Sequence, residues 1–459
     1  WKSLEELADS PGFLEFLHRE FPEQASSFED AKGRREFLTL MGASLALAGL
    51  TACTKQPAEK ILPYVRQPEQ LVPGRPLHFA TAVAHDGYAR GILVESHEGR
   101  PTKIEGNPDH PQSLGGTDVF GQAHVLGLYD PDRSKTVLFQ GQDRTWGAFR
   151  EALRGVLEKQ RNAGGAGVRF LSGRTTSPTL AAQREALRAE LPEARWVSWE
   201  PADRDNVREG ATLAFGEAVE PQYRFEDADV ILSLEADFVT GHPASLRLVR
   251  EYASRRKVDD AKPEMNRLYV VEGSPTPPGA SADHRLAIRS SAIEGFARAV
   301  AAGLGLAVEG GVDHEWVAPL AKDLQRAGAR ALVVAGETQP PVVHALAHAM
   351  NEALGAVGTT VVYTEPAELP GDASLEELVG EMKAGAVELL VVMGANPVYA
   401  APADLGFAEA LDEVPLRIHY GLSLDETAVR CQWHLPAAHP LESWSDVRAA
   451  CGTVSIVQP

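Results

Sequence analysis

The chain has 459 residues, a net charge of −20, 44% hydrophobic residues and 24% charged residues. That balance is ordinary for a globular protein of two or three domains, and so acidic a chain has no basic patch to neutralise phosphates, which excludes nucleic acid as a partner. The three cysteines, Cys53, Cys431 and Cys451, are too few for a disulfide framework or for a four-thiolate iron–sulfur cluster within this sequence.

Residues 1–33, opening WKSLEELADSPGFLEFLHREFP, read as short amphipathic helices, with Leu4, Leu7, Phe13, Phe16 and Leu17 at helical spacing. Residues 34–53, RREFLTLMGASLALAGLTAC, have the form of a bacterial twin-arginine export signal. Arg34 and Arg35 supply the charge. The apolar run that follows spans about 24 Å as a helix, against about 30 Å for a bilayer core. It is too short for a comfortable membrane span and suits the apolar part of a signal, although a small-residue core helix has the same look. Leu50-Thr51-Ala52-Cys53 resembles a lipobox, which makes Cys53 a possible lipidation site; whether the signal is cut there stays open. Residues 54–78 are rich in proline and polar residues and read as a linker.

Residues 79–140 are expected to form a small β-rich region. Within it, GILVESHEGRPTKIEGNP gives two strands joined by a Glu-Gly turn. From residue 141, apolar runs of four to six alternate with amphipathic helices, the pattern of parallel sheets covered on both faces. The helix after Thr145 has that residue as its cap, and the next has Ser177 as cap with Pro178 in its first turn. Two such series, 141–305 and 306–459, predict two doubly wound α/β domains. The chain opens on Trp1 rather than Met and stops in what reads as the inside of a fold, so more chain is expected beyond Pro459.

Ligands of doubly wound sheets bind at the carboxyl ends of the strands. Three of those ends carry glycine and polar residues: Gly173-Arg174-Thr175-Thr176-Ser177, Gly336-Glu337-Thr338 and Gly394-Ala395-Asn396-Pro397. Their amides and hydroxyls could cradle a pyrophosphate, or simply be the residues any such turn favours. Neither G-x-x-x-x-G-K-[ST] nor G-x-G-x-x-G occurs. His344 and His348 stand at i, i+4 on one helix and could hold a metal, but without an H-E-x-x-H pattern they read as core or surface histidines. Cys431 and Cys451 could pair in an oxidising compartment or remain free thiols. No residue stands out as catalytic.

The segments GRPTKIEGNPDHPQSLGGTDVFGQAHVLGLYDPDR, SWEPADRDNVREGATLAFG, DADVILSLEADF, VVMGANPVY and HLPAAHPLESWSD resemble, in that order, the molybdopterin oxidoreductases. Together with the set-back signal and YVRQPEQLVPG, they make the chain similar to the large iron–sulfur subunit of bacterial alternative complex III. The resemblance implies a molybdopterin-oxidoreductase-like fold and export by the Tat route to the periplasmic face of the cytoplasmic membrane. It implies a place in a quinol-oxidising complex beside a multihaem cytochrome, a polytopic quinol-binding subunit and a monohaem cytochrome. It also implies iron–sulfur clusters in a part beyond Pro459, with no cofactor, molybdopterin included, in this segment. Catalytic relatives carry a cluster cysteine where residues 115–121 here read GGTDVFG, and their molybdenum ligand falls near residues 204–206, where Asp205 could serve or simply be solvated. The alternative is an active periplasmic molybdopterin-dependent oxidoreductase, such as a polysulfide reductase.

Overall fold

The computed structural model describes residues 69–258 and 263–459. Arg34, Arg35 and Cys53, with residues 1–33 and most of the expected linker, lie outside the described residues. No helix among the described residues is long and apolar enough to cross a membrane.

The β-rich region is an antiparallel meander of β1 (Leu77–His85), β2 (Tyr88–His97) and β3 (Arg100–Gly106), followed by α1 (Val119–Leu128). Asp118 caps α1 by accepting from the Gly121 N–H at 2.7 Å. Then come β4 (Val137–Phe139), β5 (Gln142–Arg144), α2 (Trp146–Asn162), β6 (Val168–Ser172), α3 (Pro178–Glu190), β7 (Arg195–Ser198), α4 (Asp205–Phe215) and β8 (Glu220–Tyr223). The middle of the chain holds β9 (Val230–Leu234), α5 (Ser245–Arg256), β10 (Arg267–Glu272), β11 (His284–Ala287), α6 (Ile293–Gly303), α7 (Val317–Ala327), β12 (Ala331–Ala335), α8 (Pro341–Ala353) and β13 (Val361–Thr364). The last part contains α9 (Leu375–Lys383), β14 (Leu389–Met393), β15 (Leu416–Gly421), β16 (Trp433–Pro436), β17 (Ser445–Arg448) and β18 (Val454–Val457). The caps read from sequence are in place: Thr145 accepts from Ala148 N–H and Ser177 from Leu180 N–H, both at 3.1 Å.

Two sheets dominate. One has seven strands in the order β5-β4-β16-β15-β14-β6-β7, all running one way except β4, which is antiparallel to both its neighbours. The other has four parallel strands, β11-β10-β9-β12. Both faces of the four-stranded sheet are covered: Leu232 and Val333 pack against Phe296, Leu324 and Met350, while Ile231 and Leu332 pack against Phe225 and Leu248. This explains why β12 reads ALVVA and is buried throughout. Burying such a side chain contributes about 1.5–3 kcal/mol, whereas the whole β-propensity scale spans about 1 kcal/mol, so burial dictates these strands.

The expected division at 305/306 does not describe the strands. β12 lies after that point yet pairs with β9, and β14 to β16 lie after it yet complete the sheet begun by β6 and β7. The physical reason is pairing: β6 and β9 each have a hydrogen-bonding edge that only a later strand satisfies. Residues 361–364, expected to continue a parallel series, instead form an antiparallel pair with β8. Pro221 in β8 has no N–H to give to a ladder, so the pair stays short, with β8 largely buried and β13 buried only at Val361.

Candidate functional site

Each large sheet has one point where strand order reverses. In the seven-stranded sheet the chain runs outward from β6 to β7, and later outward the other way from β14 through β15 to β16. The reversal lies between β6 and β14. In the four-stranded sheet it lies between β9 and β12. All three strand-end loops picked out by sequence flank these two switch points, where such folds bind ligands.

The first switch point is closed by the chain's own groups. Glu200 Oε1 accepts from the Arg174 N–H at 2.9 Å. Burial pushes the Glu200 carboxyl upward, against the pull of the Arg174 amide and guanidinium. The Thr176 hydroxyl donates to the Gly87 carbonyl at 2.7 Å and accepts from Arg448 N–H at 2.9 Å. Ser177 donates to Asp446 and caps α3. Asn396 accepts from the Thr427 hydroxyl at 2.8 Å and donates to Glu426 at 2.7 Å.

The second switch point is open. A cavity of about 300 Å³ is walled by Ala236, Phe238, Val334 and Ala335, with Ser274, Thr276 and Thr338 also lining it. Its acids are already engaged. Glu235 accepts from Gly273 N–H at 3.0 Å and from Ser290 and Gln339 at 2.5 Å each, and Asp237 accepts from the Val239 and Thr240 amides at 3.1 and 3.0 Å. Glu235 has φ +57°, and a Cβ on Gly336 would stand 2.0 Å from the Glu235 carbonyl oxygen, so the two strand ends meet here only because residue 336 is glycine.

A buried charge network joins the two points. Arg204, at the N-terminus of α4, reaches Glu220 at 2.9 Å, Glu337 at 2.9 Å and the Tyr88 hydroxyl at 3.0 Å. That hydroxyl lies 3.3 Å from Glu368, which also pairs with Arg174 at 3.1 Å and Arg208 at 2.7 Å. Burial opposes the charge on Arg204, yet Glu220, Tyr88 and Glu337 hold it well above its usual range. Burial raises Glu337, with Arg204 opposing. The network ties the β-rich meander, through Tyr88, to the loops of both sheets.

No family model matches the chain. It is 26% identical over 420 residues to the menaquinone reductase, molybdopterin-binding-like subunit of Nitratidesulfovibrio vulgaris, which covers 80% of this chain and 59% of that protein. Among solved structures it is similar to acetylene hydratase from Pelobacter acetylenicus, with a TM-score of 0.60 at 12% identity over 80% of this chain and 64% of the other. The fold is molybdopterin-oxidoreductase-like. The chain spans only 59% of the length of the curated relative it matches.

The residues at the first switch point do not fit an anionic pterin dinucleotide. The loop amide already holds a carboxylate, and the Thr176, Ser177 and Asn396 side chains are spent inside the protein. Asp205 is a half-exposed partner of Arg208 in the first turn of α4. His344 and His348 are buried in the core. His344 packs on Gly210 of α4, where a Cβ would stand 2.4 Å from its own, and His348 Nδ1 lies 3.0 Å from the Tyr363 hydroxyl. Burial lowers both imidazoles to about 4. Cys431 and Cys451 are free thiols, and burial pushes Cys431 up to about 12. The acids of the network escaped sequence reasoning, although Glu337 sits in a loop that was singled out. A carboxylate in a supposed anion cradle was the available signal.

Proposed function

We propose that this chain is a scaffold subunit of a quinone-linked respiratory complex. It has the molybdopterin-oxidoreductase-like fold without a molybdenum cofactor of its own. The name of its menaquinone reductase relative supports the quinone link. The finer reading is the large subunit of alternative complex III, exported by a Tat signal containing Arg34 and Arg35 to the periplasmic face of the membrane. There it would sit beside a multihaem cytochrome, a polytopic quinol-binding subunit and a monohaem cytochrome, with iron–sulfur clusters carried outside this sequence. The observation that supports the scaffold role is the buried Arg174–Glu368–Tyr88–Arg204 network, which fastens three regions together and uses its charged groups on one another.

The test is metal analysis with a pterin fluorescence assay on the full-length protein purified from membranes, together with identification of its co-purifying subunits. The scaffold reading expects no molybdenum and no pterin, and haem-bearing and polytopic partners. A second reading, an active molybdopterin-dependent oxidoreductase, draws on the open crevice between β9 and β12. Molybdenum near one atom per chain would establish it and remove the first.

A further inference from the structure

We infer that Glu200 is a built-in anion, seated where the seven-stranded sheet would otherwise receive a phosphate group, and that its removal creates a binding site for pyrophosphate. The inference deepens the scaffold reading and rests on it.

The position is the ligand-binding switch point of the sheet, between the end of β6 and the end of β14. A Cβ on Gly173 would stand 2.5 Å from Glu200 Oε1 and 4.0 Å from the Gly394 carbonyl oxygen. The missing side chain at 173 is therefore the space the carboxylate occupies. The next residue supplies a backbone N–H to the same oxygen at 2.9 Å. Its guanidinium is buried, paired with Glu368 at 3.1 Å and directed toward the Ala202 carbonyl at 3.4 Å. Carboxylate and phosphate oxygens accept alike from such an amide, and the Arg174 guanidinium favours an oxyanion here, against burial, Asp86 and Glu368, which together push the Glu200 carboxyl upward. Glu200 is only partly buried, so the pocket it fills borders solvent. Taking away its side chain leaves the amide without its acceptor and the glycine space vacant.

The experiment titrates inorganic pyrophosphate, at ionic strength fixed with sodium chloride, into the full chain and three variants, reading calorimetry and the thermal midpoint. Glu200→Ala is expected to bind at one site at least about tenfold more tightly than wild type, with a midpoint rise of roughly 1–3 °C at saturating pyrophosphate. Glu200→Gln keeps the space filled and the amide satisfied, and gains nothing. The double variant Gly173→Ala, Glu200→Ala loses the gain, because a methyl group then fills the cradle. If Glu200→Ala is itself unstable, pyrophosphate but not chloride restores its midpoint. Wild type binding as tightly as Glu200→Ala, a gain that survives the added methyl group, or a Glu200→Ala protein that neither binds nor is restored, each overturns the inference. Any of these results in a chain free of molybdenum leaves the scaffold reading standing, whereas molybdenum and pterin in the wild type remove that reading whatever the titration shows.

Discussion

The two sheets solve the same topological problem in opposite ways. Each has a switch point framed by glycine-bearing loops, yet one is filled by a carboxylate and the other keeps a cavity of about 300 Å³. At the closed point, polar groups satisfy one another across long stretches of chain. At the open point the acids are held across the chain as well, Glu235 by Gln339 and Glu337 by Arg204, but the walls are apolar. A strand-end crevice is thus a consequence of winding alone; whether it receives a ligand depends on where the nearest unpaired donors are.

The largest effect on that contrast should come from Arg204, which holds Glu337 at the open point and is linked to Arg174 at the closed one through Tyr88 and Glu368. Arg204→Met leaves Glu220 and Glu337 without their cation, and urea unfolding should show a loss of about 3–5 kcal/mol. A loss below about 1 kcal/mol would mean that the network fastens nothing. Next is Gly336→Ala, which drives a methyl group against the Glu235 carbonyl and should cost about 1–3 kcal/mol. The matching change at the closed point, Gly173→Ala, meets only the movable end of Glu200 and should cost less.

A third test uses pH. His344, behind the open point, is lowered from 6.5 to about 4 by burial, then by His348 and Arg204. A depressed histidine contributes stability that is complete above pH 6.5 and is lost as pH falls toward 4, because the unfolded chain takes up the proton first. His344→Gln should therefore flatten the acid limb, by roughly 1–2 kcal/mol at pH 5, as followed by denaturation midpoints across the range. The smallest effect is expected for Asp205→Asn. Its exposed pairing with Arg208 should be worth less than about 0.5 kcal/mol. A change of metal content or redox activity in that variant would return Asp205 to the list of metal ligands.

Elements with local causes were legible in the sequence. Thr145 and Ser177 with Pro178 announce their helices, and β9, β12 and β14 announce themselves as apolar runs. Strand partners were not, because β6 pairs with β14 across more than two hundred residues. The site was half legible. Glycine and polar residues marked the strand ends, but Tyr88 and Glu368 meet across 280 positions, a distance no spacing rule bridges.

The interrupted seven-stranded sheet also has a history during synthesis. Once β7 has left the ribosome, β6 presents a bare row of amides and carbonyls on the side that β14 will take. At about 5–20 residues per second, the strand that covers it is made roughly 10–40 seconds later. For that interval the newborn chain carries a sticky margin, and a helper protein that shields exposed strands has its best opportunity there.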